Sequence, residues 1–289
     1  MSTLLETPLA YCREKICPEL SSLHYATVFQ PVELKAYWLG LFTLNHELRQ
    51  ACLKQLEAGL TQVKLGWWRN ALANAGQETN LHPVIQAISR DVVAGVDADN
   101  WPVLINQVAA ACEPSRFENQ AAWDHSTRAT ISPWLPLIAQ KFAQEAAQQA
   151  DLKNPAAYQA LLDFWMASTQ LCQLLRLAKY LDEQFQPIPI DSLRQHGVTA
   201  EQIRSRQHSN ATHALFTQVA QSRMTVADAA WKQMPADLRL FCRPLRALYR
   251  MKVREFRLHG PQPALLTEQK ALTPLRKFSI SWTTQVLRA

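Results

Sequence analysis

Val32-Glu-Leu-Lys-Ala-Tyr-Trp-Leu-Gly-Leu-Phe-Thr-Leu-Asn-His-Glu-Leu48 sets Leu34, Trp38, Leu41, Leu44 and Leu48 three or four residues apart. That is the period of one face of an α-helix, so the stretch predicts an amphipathic helix. The next stretch repeats the period with Leu53, Leu56, Leu60, Val63 and Trp67 and predicts a second. The turn Asn80-Leu-His-Pro83 opens a third, because proline at a helix start gives up an N–H that has no partner there anyway. Val84, Ile85, Ala87 and Ile88 form its buried face. Trp38, Trp67, Trp68 and Trp165 are read as core aromatics.

Outward from this region the chain keeps the helical period. Helices are expected at about 101–112, 118–148, 154–183, 199–230, 235–258 and 264–287. The Gln/Ala-rich run from Ala139 to Ala150 is good helix composition. Asn154-Pro155, Pro187-Ile-Pro189, Gly197 and His259-Gly-Pro-Gln-Pro263 punctuate the pattern, and no linker is long enough to divide it. No stretch alternates with period two. The expectation is a single all-α domain over residues 1–289, of about nine or ten helices.

Composition narrows the function. Only 7 of 289 residues are glycine, which leaves almost no material for phosphate-cradling loops, and neither dinucleotide nor P-loop patterns occur. Cys12, Cys17, Cys52, Cys112, Cys172 and Cys242 are scattered, with no Cys-x-x-Cys. The N-terminus Met-Ser-Thr-Leu-Leu-Glu-Thr-Pro lacks the basic start and apolar core of a signal peptide, so the cysteines are read as reduced thiols of a cytoplasmic protein. His208 and His213 have a zinc-finger-like interval without the matching cysteine pair. No other metal motif is present.

The net charge of +6 is uneven. Trp231–Ala289 carries 12 basic and 3 acidic residues, leaving 18 basic and 21 acidic in the rest. Arg243, Arg246, Arg250, Arg254 and Arg257, three and four apart, would gather on one side of a helix whose other side offers Leu245, Leu248, Met251 and Phe256 to the core. Such a face suits an anionic membrane surface, reached peripherally from the inner face, or a protein partner. A nucleic-acid module is not recognisable, and no nucleic-acid partner is expected.

Three segments carry a family resemblance. Tyr37-Trp-Leu-Gly-Leu-Phe-Thr-Leu-Asn-His-Glu-Leu48, then Lys64-Leu-Gly-Trp-Trp-Arg69 with His82-Pro-Val84, resemble the first catalytic helix of squalene and phytoene synthases and its partner. Thr169-Gln-Leu-Cys-Gln-Leu-Leu-Arg176 and Pro187-Ile-Pro-Ile-Asp-Ser-Leu-Arg-Gln-His-Gly197 are similar to the family's second catalytic helix and the loop after it. The resemblance implies the all-α isoprenoid synthase fold around a central cavity. It also implies a chemistry that joins prenyl diphosphates with Mg²⁺ held by an Asp-x-x-x-Asp pair on each of two helices.

Laid on those motifs, this chain has Arg49 and Leu53 at the first pair of positions and Leu177 and Leu181 at the second. Sliding either motif by one residue restores no pair. The resemblance therefore extends to the phytoene-synthase-like assembly factors of respiratory complex I, which lack the aspartates, and Leu272-Thr-Pro-Leu-Arg-Lys-Phe-Ser-Ile-Ser-Trp282 is similar to them too. Likeness to these factors implies a pseudoenzyme without a metal site, binding an isoprenoid or lipid or serving assembly. The alternative is a prenyl transferase with a rearranged site, and only then is Mg²⁺ expected. Glu47, Arg49, Gln170, Gln173, Arg176 and Asp182 are the candidate ligand-binding residues of the degenerate cavity. An ion pair of Glu47 with Arg69 is the competing structural role.

Overall fold

The computed structural model describes residues 6–53, 58–113, 116–145, 154–182, 187–259, 264–267 and 271–286. Among them are eighteen α-helices and no strand. The chain forms two compact units. The first comprises Met1–Glu113, Pro133–Asp151 and Ser281–Ala289, and the second Pro114–Ser132 and Leu152–Ile280.

The first unit is built on α3 (Val32–Leu53), which packs against α1 (Glu6–Ile16), α2 (Ser22–Thr27), α4 (Ala58–Ala73), α5 (Pro83–Ile88) and α7 (Asn100–Ala110). Trp38, Leu41, Leu44 and Leu48 are buried as their period predicts, and so are Val84, Ile85, Ala87 and Ile88 of α5. The two helices cross closely at Gly40. A Cβ there would lie 2.9 Å from the Ile88 backbone nitrogen and equally near its Cγ1. α6 (Arg90–Ala94) and α9 (Leu135–Glu145) complete this unit, and Ala146–Ala150, the end of the Gln/Ala-rich run, lies outside the described residues.

α4 corrects the sequence reading. Its buried face is Leu65, Trp68, Ala71 and Leu72, whereas Leu60, Val63 and Trp67 point outward at 46 %, 68 % and 50 % exposure. The side chain of Leu53 and all of Leu56 lie outside the described residues. The helix carries two apolar stripes, and periodicity does not say which one meets the core.

In the second unit α10 (Pro155–Leu175) packs on α8 (Gln120–Ile131), α14 (Asn210–Gln233) and α16 (Arg243–His259). α11 (Leu177–Asp182), α12 (Ile190–Gln195), α13 (Ala200–Arg204), α15 (Ala236–Phe241) and α17 (Ala264–Thr267) are short. The long helices expected from periodicity are interrupted more often than predicted. A 3-10 turn at Ser132–Trp134 divides 118–148, where Pro133 and Pro136 lack N–H donors. Arg206, at φ 57, precedes a new start for α14, capped reciprocally by Ser209 and Thr212. Pro244 forces a new start after Cys242.

α18 (Pro274–Gln285) reverses the usual pattern. It buries Ser281, Thr284 and Gln285 and exposes Leu275, Phe278 and Trp282. The reason lies in α2. A helix of six residues leaves its last carbonyls without intrahelical donors. Ser281 Oγ donates to the Tyr25 carbonyl, and Gln285 Nε2 donates to that of Ala26 at 2.8 Å. Gln285 Oε1 accepts from Gln30 Nε2 at 2.6 Å. The buried face is polar because it caps α2.

All six cysteines are free thiols, and no helix among the described residues is long and apolar enough to cross a membrane. Gln285→Ala removes the Nε2 donor to Ala26 and the Oε1 acceptor for Gln30 and is expected to lower unfolding free energy by about 2–3 kcal/mol, while Leu275→Ser, at a site 77 % exposed, costs under about 0.5 kcal/mol. Urea unfolding followed by tryptophan fluorescence checks both. Gly40→Ala, which must push α5 off α3, is expected to cost about 1–3 kcal/mol in the same assay.

Candidate functional site

The candidate residues of the second unit come from three well-capped helices. Asn154 Oδ1 accepts from the Ala156 N–H at 3.0 Å and starts α10, with Pro155 in its first turn. Asn119 Oδ1 caps α8 through the Ala122 N–H at 2.9 Å. α10 presents Gln170 and Gln173 one turn apart, α8 presents Trp123, Asp124 and Thr127, and α14 presents Arg223.

Gln170 has no solvent exposure, and its carboxamide is used at both ends. Nε2 donates to Asp124 Oδ1 at 2.9 Å and to Thr127 Oγ1 at 3.4 Å, and Oε1 accepts from Arg223 Nη1 at 3.0 Å. The same Nη1 donates to Asp124 at 3.1 Å, and Nη2 donates to Ser222 Oγ at 2.8 Å. Gln173 Oε1 accepts from the Trp123 indole N–H at 2.9 Å. Burial pulls the Arg223 guanidinium below its usual range while Asp124 pushes it back up. It stays charged, as arginine does in proteins. The arrangement joins three helices.

Sequence reasoning does not single out Asp124, Thr127 or Arg223. One signal is present. Arg223 stands on the buried stripe of α14 with Leu215, Val219 and Ala227, a cation at a core position that demands a buried acceptor.

Arg176 ends α10. Its backbone leaves helical geometry at φ −102 and ψ 15, and its exposed side chain is hydrogen-bonded with Tyr180. α11 therefore begins anew at Leu177, which is fully buried, and Leu181 is half-buried. The side chain of Asp182 lies outside the described residues.

In the first unit Glu47 takes partners other than Arg69, which is exposed. Tyr11 Oη donates to Glu47 Oε1 at 3.0 Å, and Lys15 Nζ lies 3.5 Å from the same oxygen. Burial together with the carboxylate raises the Tyr11 phenol to about 12. Beside them opens a cleft of about 420 Å³, walled by Lys15, by His46, Glu47 and Gln50 of α3, and by Lys64, Trp67 and Trp68 of α4. His82 caps α5 through Nδ1 at 3.3 Å from the Val84 nitrogen, and its ring meets Trp67, Trp68 and Tyr11 edge to face. Burial lowers its pKa and favours the neutral ring that such a cap requires. Half-buried Arg49 stands near the hydrogen-bonded thiols of Cys52 and Cys112 and draws both downward, though burial still lifts Cys52 to about 11. Among the described residues, no three His, Cys, Asp or Glu side chains converge as a metal-holding group.

The arginines of α16 divide. Arg246 is bound to Asp228 at 2.8 Å and lies over the rings of Trp231 and Tyr249 at 5.2 and 4.9 Å. Arg243 and Arg250 are half-buried, and Arg254 and Arg257 are exposed. Leu245, Met251 and Phe256 are buried, and Leu248 is half-buried.

Set against known proteins, the fold has clear relatives. A dehydrosqualene synthase, solved in complex with ligand, matches with a TM-score of 0.76 at 12 % identity, covering 98 % of this chain and 97 % of that one. The squalene synthase HpnC from Alicyclobacillus acidocaldarius matches with a TM-score of 0.66 at 15 % identity, over 90 % of this chain and 96 % of that one. No curated protein is significantly similar in sequence. The family described as Squalene/phytoene synthase matches residues 21–277, a span that includes α3, α10 and α11, and by that measure the chain belongs to the squalene/phytoene synthase family.

Proposed function

We propose that this chain is a non-catalytic member of the family, one that binds an isoprenoid or lipid, or serves assembly, in place of joining prenyl diphosphates. The observation that carries the reading is Leu177. The resemblance puts a metal-binding carboxylate at this position, and the side chain there is a hydrocarbon with no solvent exposure. The break at Arg176 adds support, because Gln170 and Gln173 share no continuous helix with Leu177 and Leu181.

The family's Mg²⁺ does not suit the residues present. Hard divalent cations take oxygen ligands, and the four positions offer a guanidinium at Arg49 and hydrocarbon at Leu53, Leu177 and Leu181. Gln170, a matching position, is fully engaged with Asp124, Thr127 and Arg223, so its polar atoms serve the interior of the second unit.

The purified protein is expected to release no pyrophosphate from farnesyl or geranylgeranyl diphosphate in the presence of Mg²⁺. EDTA-sensitive turnover at the rate of an active synthase would overturn the proposal. The structural role of the polar cluster has its own test. Arg223→Met is expected to destabilise the protein by about 2–3 kcal/mol, because it leaves the buried Gln170 carbonyl without its donor and takes the cation away from Asp124. Adding Asp124→Leu and Gln170→Leu should recover most of that loss in chemical unfolding, since an apolar replacement of a whole buried network is often near neutral.

A further inference from the structure

α4 presents an apolar face to solvent, and no described residue of its own unit covers it. Leu60, Val63 and Trp67 recur at i, i+3 and i+7, so they form one stripe about 10 Å long. Each is at least 46 % exposed. Scattered single apolar residues on a surface need no explanation, but an ordered stripe with an aromatic at one end does.

The charges on α4 itself are of one sign. α4 contains Lys64 and Arg69 and no acid, and both basic side chains are exposed. Lys64 also forms a wall of the 420 Å³ cleft, facing a lining that includes Lys15 and Glu47. With His82 neutral, those three side chains sum to one positive charge. A second copy docking through this face would bring like charges together.

We infer that α4 docks on an anionic phospholipid bilayer, with Leu60, Val63 and Trp67 entering the headgroup–acyl boundary and Lys64 and Arg69 meeting the lipid phosphates. Each part rests on a separate feature. The stripe matches a helix lying in the plane of the interface, where tryptophan is favoured. Lys64 and Arg69, both exposed, offer charged donors to the lipid phosphates. This surface is independent of whether the family's chemistry is retained, so vesicle binding and pyrophosphate release fail separately.

Co-sedimentation with vesicles tests it. The full chain is expected to bind phosphatidylglycerol vesicles at low salt and not phosphatidylcholine vesicles. The double variant Leu60→Ser with Val63→Ser, and separately Lys64→Glu, should each weaken binding about tenfold or more, with thermal unfolding unchanged because these sites are exposed. Reversing Arg254 and Arg257 on α16 should change binding less than Lys64→Glu does. Absence of binding by the unaltered chain overturns the inference, as does binding that survives the double variant or is lost equally on reversing the α16 arginines. Binding that ignores lipid charge reduces the contact to apolar insertion and likewise overturns the inference.

Discussion

A guanidinium with almost no access to water sits inside the second unit, and the helices around it are arranged to answer it. Desolvating an ion costs several kcal/mol, whereas each hydrogen bond to a charged group returns about 1.5–3 kcal/mol. Arg223 therefore needs more than one acceptor. Asp124 supplies charge from α8, Gln170 supplies a carbonyl from α10, and Ser222 supplies a hydroxyl from the turn of α14 beside it. Because these acceptors come from different helices, the cluster fixes their rotational register more sharply than apolar packing alone would. It also explains why Gln170 is glutamine: its position requires a donor and an acceptor at once.

The helical class and the family are legible because they rest on short-range signals. The buried face of α3, the proline start of α5 and the order of the motifs each need only a few neighbouring residues to be read. The interruption at Pro133 and Pro136 is equally local, and a single helix drawn over 118–148 overlooks it, whereas the break at Arg176 has neither proline nor glycine to announce it. α4 misleads for a different reason. Leu60, Val63 and Trp67 have the same period as Leu65, Trp68 and Leu72, and a period fixes a stripe without fixing its direction.

The site is less legible than the fold. Gln170 and Gln173 emerge by resemblance, but their partners Asp124 and Trp123 are separated from them by 46 and 50 positions, and Arg223 is 99 from Asp124. Pairings at such distances are products of the tertiary fold. Glu47 shows the same limit. Arg69 is a plausible cation on a neighbouring helix, yet Lys15 and Tyr11 on α1 reach the carboxylate instead. The α16 arginines share a helix and still differ in fate, because Asp228, Trp231 and Tyr249 claim one of them.

The capping of α2 by α18 has a consequence for the order of events during synthesis. Tyr25 and Ala26 emerge from the ribosome about 255 residues before the Ser281 and Gln285 side chains that satisfy their carbonyls. At 5–20 residues per second, roughly 13–50 s pass in which the end of α2 has only water as a donor. During that interval the N-terminal segment can form its helices but cannot close off the end of α2. The last step in maturing the first unit is thus the arrival of a polar helix face, a directional event rather than a hydrophobic collapse, and the nascent chain stays open at that seam until α18 has been made.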